Sequence, residues 1–215
     1  MKPMFQKLPF PIDSHIDYYI EDLPHFIVPW HYHPSIEIMY IVSGTGTRFV
    51  GDHLEGYTEG DMCMIGPQLP HEWRNDKIYF NEESNLRATC ICLFFKKEIF
   101  NHNLIQLPEM ANIRDLLERS RRGLKFIGKS REKIANFVEQ SSKSTGIQKV
   151  TSLLTLLEMM ATTEEYEVLA SVGFTESVNS EDFERFNKVY KYLVANFTST
   201  IKLEDVASLV GLTPT

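Results

Sequence analysis

The first half of the chain holds a group of residues whose types bind metals. Residues 31–44 read HYHPSIEIMYIVSG, in which His31, His33 and Glu37 are separated by even numbers of positions. On an extended strand that spacing puts the three side chains on one face. Two imidazoles and a carboxylate are donors that suit zinc, iron, nickel or manganese. Pro34 would bend the strand between them. A second segment, GDMCMIGPQLPHEWRN at residues 60–75, brings His71 after a strand and a proline-containing turn, so a fourth ligand can come from there. His31, His33, Glu37 and His71 are thus candidate ligands for a divalent transition metal, one of two readings of the group. The same groups can also line a polar pocket that hydrogen-bonds a small molecule with no ion. Trp73, two residues beyond His71, is expected on the same face, where its indole either stacks on a ligand ring or sugar face or plugs the opening. The candidate ligand-binding residues are therefore His33, Glu37, His71 and Trp73.

Short strands must hold these residues. Prolines at positions 3, 9, 11, 24, 29 and 34 and glycines at 44, 46, 51, 56, 60 and 66 punctuate the first hundred residues. Between them IEIMYIV (36–42), TRFV (47–50), DMCMI (61–65) and ATCICLFF (88–95) have the length and the β-branched or aromatic content of strands. Many short strands with turn residues between them are the pattern of an all-β sandwich or barrel.

After Phe100 the apolar period lengthens to that of helices. Pro108 opens a stretch with Ile113, Leu116, Leu117 and Leu124; a second carries Ile134, Phe137 and Val138; a third carries Val150, Leu153, Leu154, Leu157, Met160 and Ala161. Leu156 lies beside this third stripe and widens it. Val150, Leu153, Leu154, Leu157 and Met160 are accordingly predicted as a two-fold dimer face, with packing on the barrel as the alternative. Residues 171–182, SVGFTESVNSED, are polar and without a period, so they read as a linker. Ser180, with Glu181 and Asp182, is then a cap for a helix that buries Phe186, Val189, Tyr190, Leu193 and Phe197. The basic run Arg119, Arg121, Arg122, Lys125, Lys129, Arg131 and Lys133 reads as a solvated helix face and loop, with phosphate contact as a minor alternative.

Composition narrows the class. The 215 residues are 43% apolar and 24% charged, which fits a folded chain of one to two domains rather than a disordered one. No apolar run reaches the roughly 18 residues of a membrane span, and the start lacks a signal-peptide core, so a cytoplasmic protein with no membrane partner is expected. Cys63, Cys90 and Cys92 form neither an even framework nor a CxxC clip. The net charge is −7; residues 1–100 carry 8 Lys or Arg against 14 Asp or Glu, and residues 101–215 carry 14 against 15. No broad basic face is available to wrap a nucleic acid.

Two family resemblances organise these observations. His31, His33, Glu37 and Gly44 resemble the first motif of the cupin superfamily, and Gly60, His71 and Asn75 resemble the second. Gly66 stands where the second motif usually has proline and Gln68 where it usually has glycine. The resemblance implies a small jelly-roll barrel. Near the end, Leu203, Val206, Ala207 and Val210 give a short amphipathic helix, Gly211 stops it, and Thr213-Pro214 would open another. The stretch LEDVASLVGLTPT, preceded by ANFTS, resembles the start of the DNA-binding domain of AraC/XylS-type transcription regulators. In that family a recognition helix follows; it is not in this sequence, and Lys202 stands where a Ser or Thr cap is usual.

The expected fold class is therefore α+β: a cupin-like jelly-roll barrel over 1–100 that senses a small-molecule effector, a helical dimerisation connector over 101–175, and the opening helices of a helix-turn-helix domain over 180–215. The resemblance implies a homodimeric, ligand-responsive transcription regulator that is not an enzyme. Its full-length form would bind DNA, and this chain, cut within the first helix-turn-helix, would not. The rivals are a metal-dependent cupin dioxygenase or isomerase using the same four ligands, and an assembly module with a vestigial pocket.

Overall fold

The computed structural model describes residues 3–8, 14–177 and 201–213, together with 185, 188, 189, 192, 193 and 196. In chain order the strands are β1 (Met4–Phe5), β2 (Ile16–Leu23), β3 (His31–Tyr32), β4 (Ile36–Ser43), β5 (Gly46–Val50), β6 (His53–Tyr57), β7 (Met62–Ile65), β8 (His71–Asn75), β9 (Ala88–Phe95), β10 (Leu124–Phe126) and β11 (Tyr166–Val168). They form a five-stranded sheet, β1-β3-β8-β5-β6, and a six-stranded sheet, β11-β10-β7-β4-β9-β2. All pairings are antiparallel except β1 with β3. The four strands expected from sequence are β4, β5, β7 and β9.

The period of two in β4 explains how one strand serves two compartments. Glu37, Met39 and Ile41 point between the sheets, where Met39 and Ile41 pack with Val50, Tyr57, Cys63, Trp73, Cys90, Cys92 and Phe94. Ile36 and Ile38 point the other way and pack with Met62, Met64, Leu93 and Phe95. That outer face is apolar too, so it must be covered.

Helices cover it. The chain adds α1 (His102–Ile105), α2 (Ala111–Arg119), α3 (Gly128–Ser141) and α4 (Ile147–Ala161). Leu116 of α2, Val138 of α3 and Leu153, Leu156, Leu157 and Met160 of α4 join the same core as Ile36 and Ile38, each with no solvent exposure. The stripe expected as a dimer face, Val150, Leu153, Leu154, Leu157 and Met160, thus packs on the sheet of its own chain, the alternative that the sequence also offered. Leu153, Leu157 and Met160 are consumed within one chain by the uncovered sheet face, and Val150 and Leu154 pack half-buried against the same core. Two polar links fasten the layer to the edge strand: the Tyr18 hydroxyl donates to Ser141 Oγ at 2.9 Å, and Lys149 Nζ to Asp17 at 2.7 Å.

The helical half also gives strands to the barrel. Leu124, read from sequence as part of a helical face, lies in β10, which pairs with β7, and β11 pairs with β10. The stretch read as a linker opens instead with α5 (Val172–Ser177). The Ser171 hydroxyl accepts from the Phe174 N–H at 3.1 Å, and Phe174 is buried in the inter-sheet core. The basic run is dispersed: Arg119 lies over the Tyr166 ring, Arg121 pairs with Glu118, the Arg122 side chain donates to the Ala170 carbonyl, and Lys125 pairs with Glu55.

The caps Ser180, Glu181 and Asp182 and the apolar residues Phe186, Tyr190 and Phe197 lie outside the described residues. Farther on, α6 (Leu203–Leu209) is present, Lys202 precedes it without a side-chain cap, and Gly211 ends it at φ +71. The Leu212 N–H returns to the Ala207 carbonyl at 2.9 Å and that of Gly211 to Ser208 at 3.3 Å, a left-handed glycine stop. No described helix is long and apolar enough to cross a membrane.

Candidate functional site

The four predicted ligands converge, although not by the expected route. His31 lies on β3 of one sheet and Glu37 on β4 of the other, so they do not share a strand face. The chain changes sheets around Pro34, and the two side chains meet because the inner faces of both sheets meet. His31 and His71 are directly opposed across β3 and β8, with ring centroids 4.2 Å apart. One ligand atom from each of His31, His33, Glu37 and His71 can be chosen so that all lie within 4.8 Å of one another, and all four residues are buried.

Backbone carbonyls orient the rings. The Nδ1–H groups of His31, His33 and His71 donate to the carbonyls of Pro29 (2.8 Å), Ser35 (3.0 Å) and Leu69 (2.8 Å). Each ring nitrogen facing a carbonyl must be the donor, which leaves Nε2 as the inward-facing atom. His33 Nε2 and His71 Nε2 both approach the same oxygen, Glu37 Oε2, at 3.0 and 2.9 Å. A neutral ring has already spent its one N–H on the carbonyl, so its Nε2 lone pair would face a carboxylate. The contact needs either a second proton on the ring or a cation among the four side chains.

Electrostatics follow the geometry. Burial alone would raise the Glu37 carboxyl, but His71 and His33 hold it below the usual carboxylate range. Burial and the neighbouring His71 push His31 down to about 3 against the pull of Glu37.

A turn departing from the usual cupin motif sets up two of these residues. Gln68, where the motif has glycine, adopts the left-handed φ of +63 that glycine would supply. Its N–H donates to the His33 carbonyl at 2.9 Å, and the next carbonyl, that of Leu69, receives His71 Nδ1–H.

A cavity of about 160 Å³ opens on the cluster. Its lining includes His31, Glu37 and Trp73, with Tyr19 and Glu21 from β2, Phe26, Met39, Cys92 and Phe94, and with Gln6 and Leu8 from the N-terminal segment. His33 and His71 are not among its lining residues; they lie behind Glu37, His31, Trp73 and Phe94. Trp73 stands on the His71 face as expected, its ring 5.8 Å away, and its Nε1–H is buried without a partner. Glu21 is the residue that sequence reasoning missed. Burial, reinforced by Glu37, pushes its carboxyl up.

Residues 19–80 match the family model described as Cupin domain. No curated protein matches the chain by sequence. Among solved structures, the AraC-like transcriptional activator CuxR is 11% identical with a TM-score of 0.40, over 84% of this chain and 58% of that one. The unsaturated fatty acid bound ToxT from Vibrio cholerae is 11% identical with a TM-score of 0.44, over 94% and 70% of the two chains. A cupin protein from Bacteroides fragilis is 21% identical with a TM-score of 0.32, over 45% and 87%. This chain thus spans 58% of the length of CuxR. The matched stretch, residues 19–80, contains all four residues of the converged His/Glu set.

Proposed function

We propose that the chain is the sensing portion of a ligand-responsive transcription regulator of the AraC type. The observation that carries this reading is the cavity that opens on His31 and Glu37 and takes part of its wall from the protein's own N-terminal segment. β1 pairs with β3 beside His31, and Gln6 and Leu8 contribute to the lining. A ligand seated there touches that segment and the barrel together. By linkage it alters DNA affinity to the extent that it binds one arrangement of the protein more tightly than another. The glycine-stopped α6 agrees with the sequence resemblance to the first helix-turn-helix of that family. Base reading would need a recognition helix beyond Leu212, and two-fold assembly would need surfaces other than Leu153, Leu157 and Met160.

The donor set fits a metal. Ligand bonds of about 2.0–2.2 Å keep donors about 3.3–3.6 Å apart around a tetrahedral ion and up to about 4.3 Å across an octahedral one, so the 4.8 Å spread has to close by about 0.5 Å or more on binding. His31, His33 and His71 through Nε2 and Glu37 through its carboxylate would hold it. A bound divalent ion would be the cation that the His33–Glu37–His71 contacts call for and would supply a Lewis-acid face toward the cavity.

The test is native mass spectrometry of the purified 215-residue chain, followed by thermal denaturation with added zinc, manganese and a small-molecule panel. A retained metal or organic mass, or a rise in melting temperature, is expected. The sensor reading fails if neither is found. In a mobility-shift titration residues 1–215 should show no sequence-selective DNA binding. Turnover of a small substrate by iron- or manganese-loaded protein would make the chain an enzyme instead.

A further inference from the structure

We propose that Glu21 is the specificity-determining residue of the cavity, and that the ligand is a single-ring aromatic molecule bearing an amine or hydroxyl donor, not a sugar and not an aromatic acid. The inference deepens the sensor reading above and rests on it.

Size comes first. A cavity of about 160 Å³ is that of one aromatic ring with a short substituent, since an apolar cavity of about 150 Å³ holds benzene. The walls come second. Phe26, Met39, Trp73 and Phe94 offer flat and soft apolar surface, which suits an aromatic ring better than a sugar edged all round with hydroxyls. Charge comes third. Glu21 and Glu37 are the carboxylates on the lining, and no lysine or arginine is among the described lining residues. Glu37 is engaged by His33 and His71, whereas Glu21 makes no hydrogen bond or ion pair among the described residues. It faces the cavity as a free acceptor, and in the metal-free protein a ligand carboxylate would meet it as a like charge. An amine or hydroxyl on an aromatic ring thus satisfies Glu21 while the ring fills the apolar remainder.

Calorimetric titration of the chelator-treated 215-residue chain with benzylamine, phenol, toluene, benzoate and glucose tests this. Benzylamine or phenol should bind at least tenfold more tightly than benzoate, and glucose should not bind. Glu21→Gln should lower benzylamine affinity at least tenfold and leave toluene binding unchanged; Glu21 is a half-buried edge-strand residue without a bonded partner, so the variant is expected to fold, which circular dichroism checks. Glu21→Asp, a second variant, should retain part of the amine preference. Benzoate binding as tightly as benzylamine, or an unaltered benzylamine affinity in Glu21→Gln, would overturn the assignment and leave the sensor reading standing. Binding of none of the probes would overturn the ligand class; the sensor reading itself falls only if the broader panel and the metals also fail.

Discussion

The Gly66 N–H donates to the Ser120 carbonyl at 2.8 Å, so the turn that sets up His71 is bonded directly to the helical half of the molecule. This accounts for the departure from the usual motif. Proline has no N–H to give, and a Cβ at Gly66 would lie 2.6 Å from the Ser120 oxygen and 2.7 Å from the Arg121 backbone.

Gly66→Ala should therefore destabilise the fold by about 1–3 kcal/mol, the range for forcing atoms into a packed site. Gly66→Pro should cost more, since it also removes the hydrogen bond. Urea unfolding measures both. Gln68→Gly, two residues on, should act oppositely and stabilise by about 0.5–1 kcal/mol, because a left-handed non-glycine residue is strained by roughly 1–2 kcal/mol and glycine returns part of that as chain entropy.

Acid should weaken the metal-free protein in a defined window. His31 titrates near 3 when folded and near 6.5 when unfolded, so between those values the unfolded chain holds a proton that the folded chain lacks. Stability then falls as pH falls from about 6.5 towards 3. Glu37, held below its ordinary value of 4.5, acts in the same direction: its contribution is complete above that value and is lost on further acidification. Melting temperatures of chelator-treated protein from pH 7 to 4 should decline, and His31→Gln should flatten the upper part of the decline.

Leu157→Ala should cost about 2–5 kcal/mol without altering the molar mass of the folded fraction by light scattering. A dimer-face residue would give the reverse pattern, a lower mass at nearly unchanged stability.

Arg48 is completely buried and pairs with Asp61 and, at 2.6 Å, with Glu55. Arg48→Met leaves the buried Asp61 carboxylate uncompensated and should cost about 3–5 kcal/mol, read by chemical denaturation. Arg48→Met/Asp61→Leu should recover much of that loss, because the stranded charge is then gone.

The site was more legible in the sequence than the reason for it. His31, His33, Glu37 and His71 were found from residue type and spacing, yet the one-face strand argument does not describe how they meet. Even spacing says nothing about a change of sheet at Pro34. Glu21 stayed hidden because IDYYIEDL carries acids on an edge strand, and whether such a side chain faces solvent or a cavity depends on Glu37 and Phe94, far along the chain. The helices at 111–119, 128–141 and 147–161 were visible from their period, but a stripe such as Leu153–Leu157–Met160 does not reveal which surface it meets. Three-residue strands such as Leu124–Phe126 leave almost no local trace, since their pairing with Met62–Met64 is entirely non-local.

Those short strands have an engineering consequence. With β10 and β11 supplied from beyond residue 120, the barrel is not a severable receptor cassette: truncation at residue 100 would strip one flank of β7 and bare an oily sheet, inviting aggregation. A chimera that borrows this sensor has to carry the chain at least through Phe174, and its splice points belong after that residue.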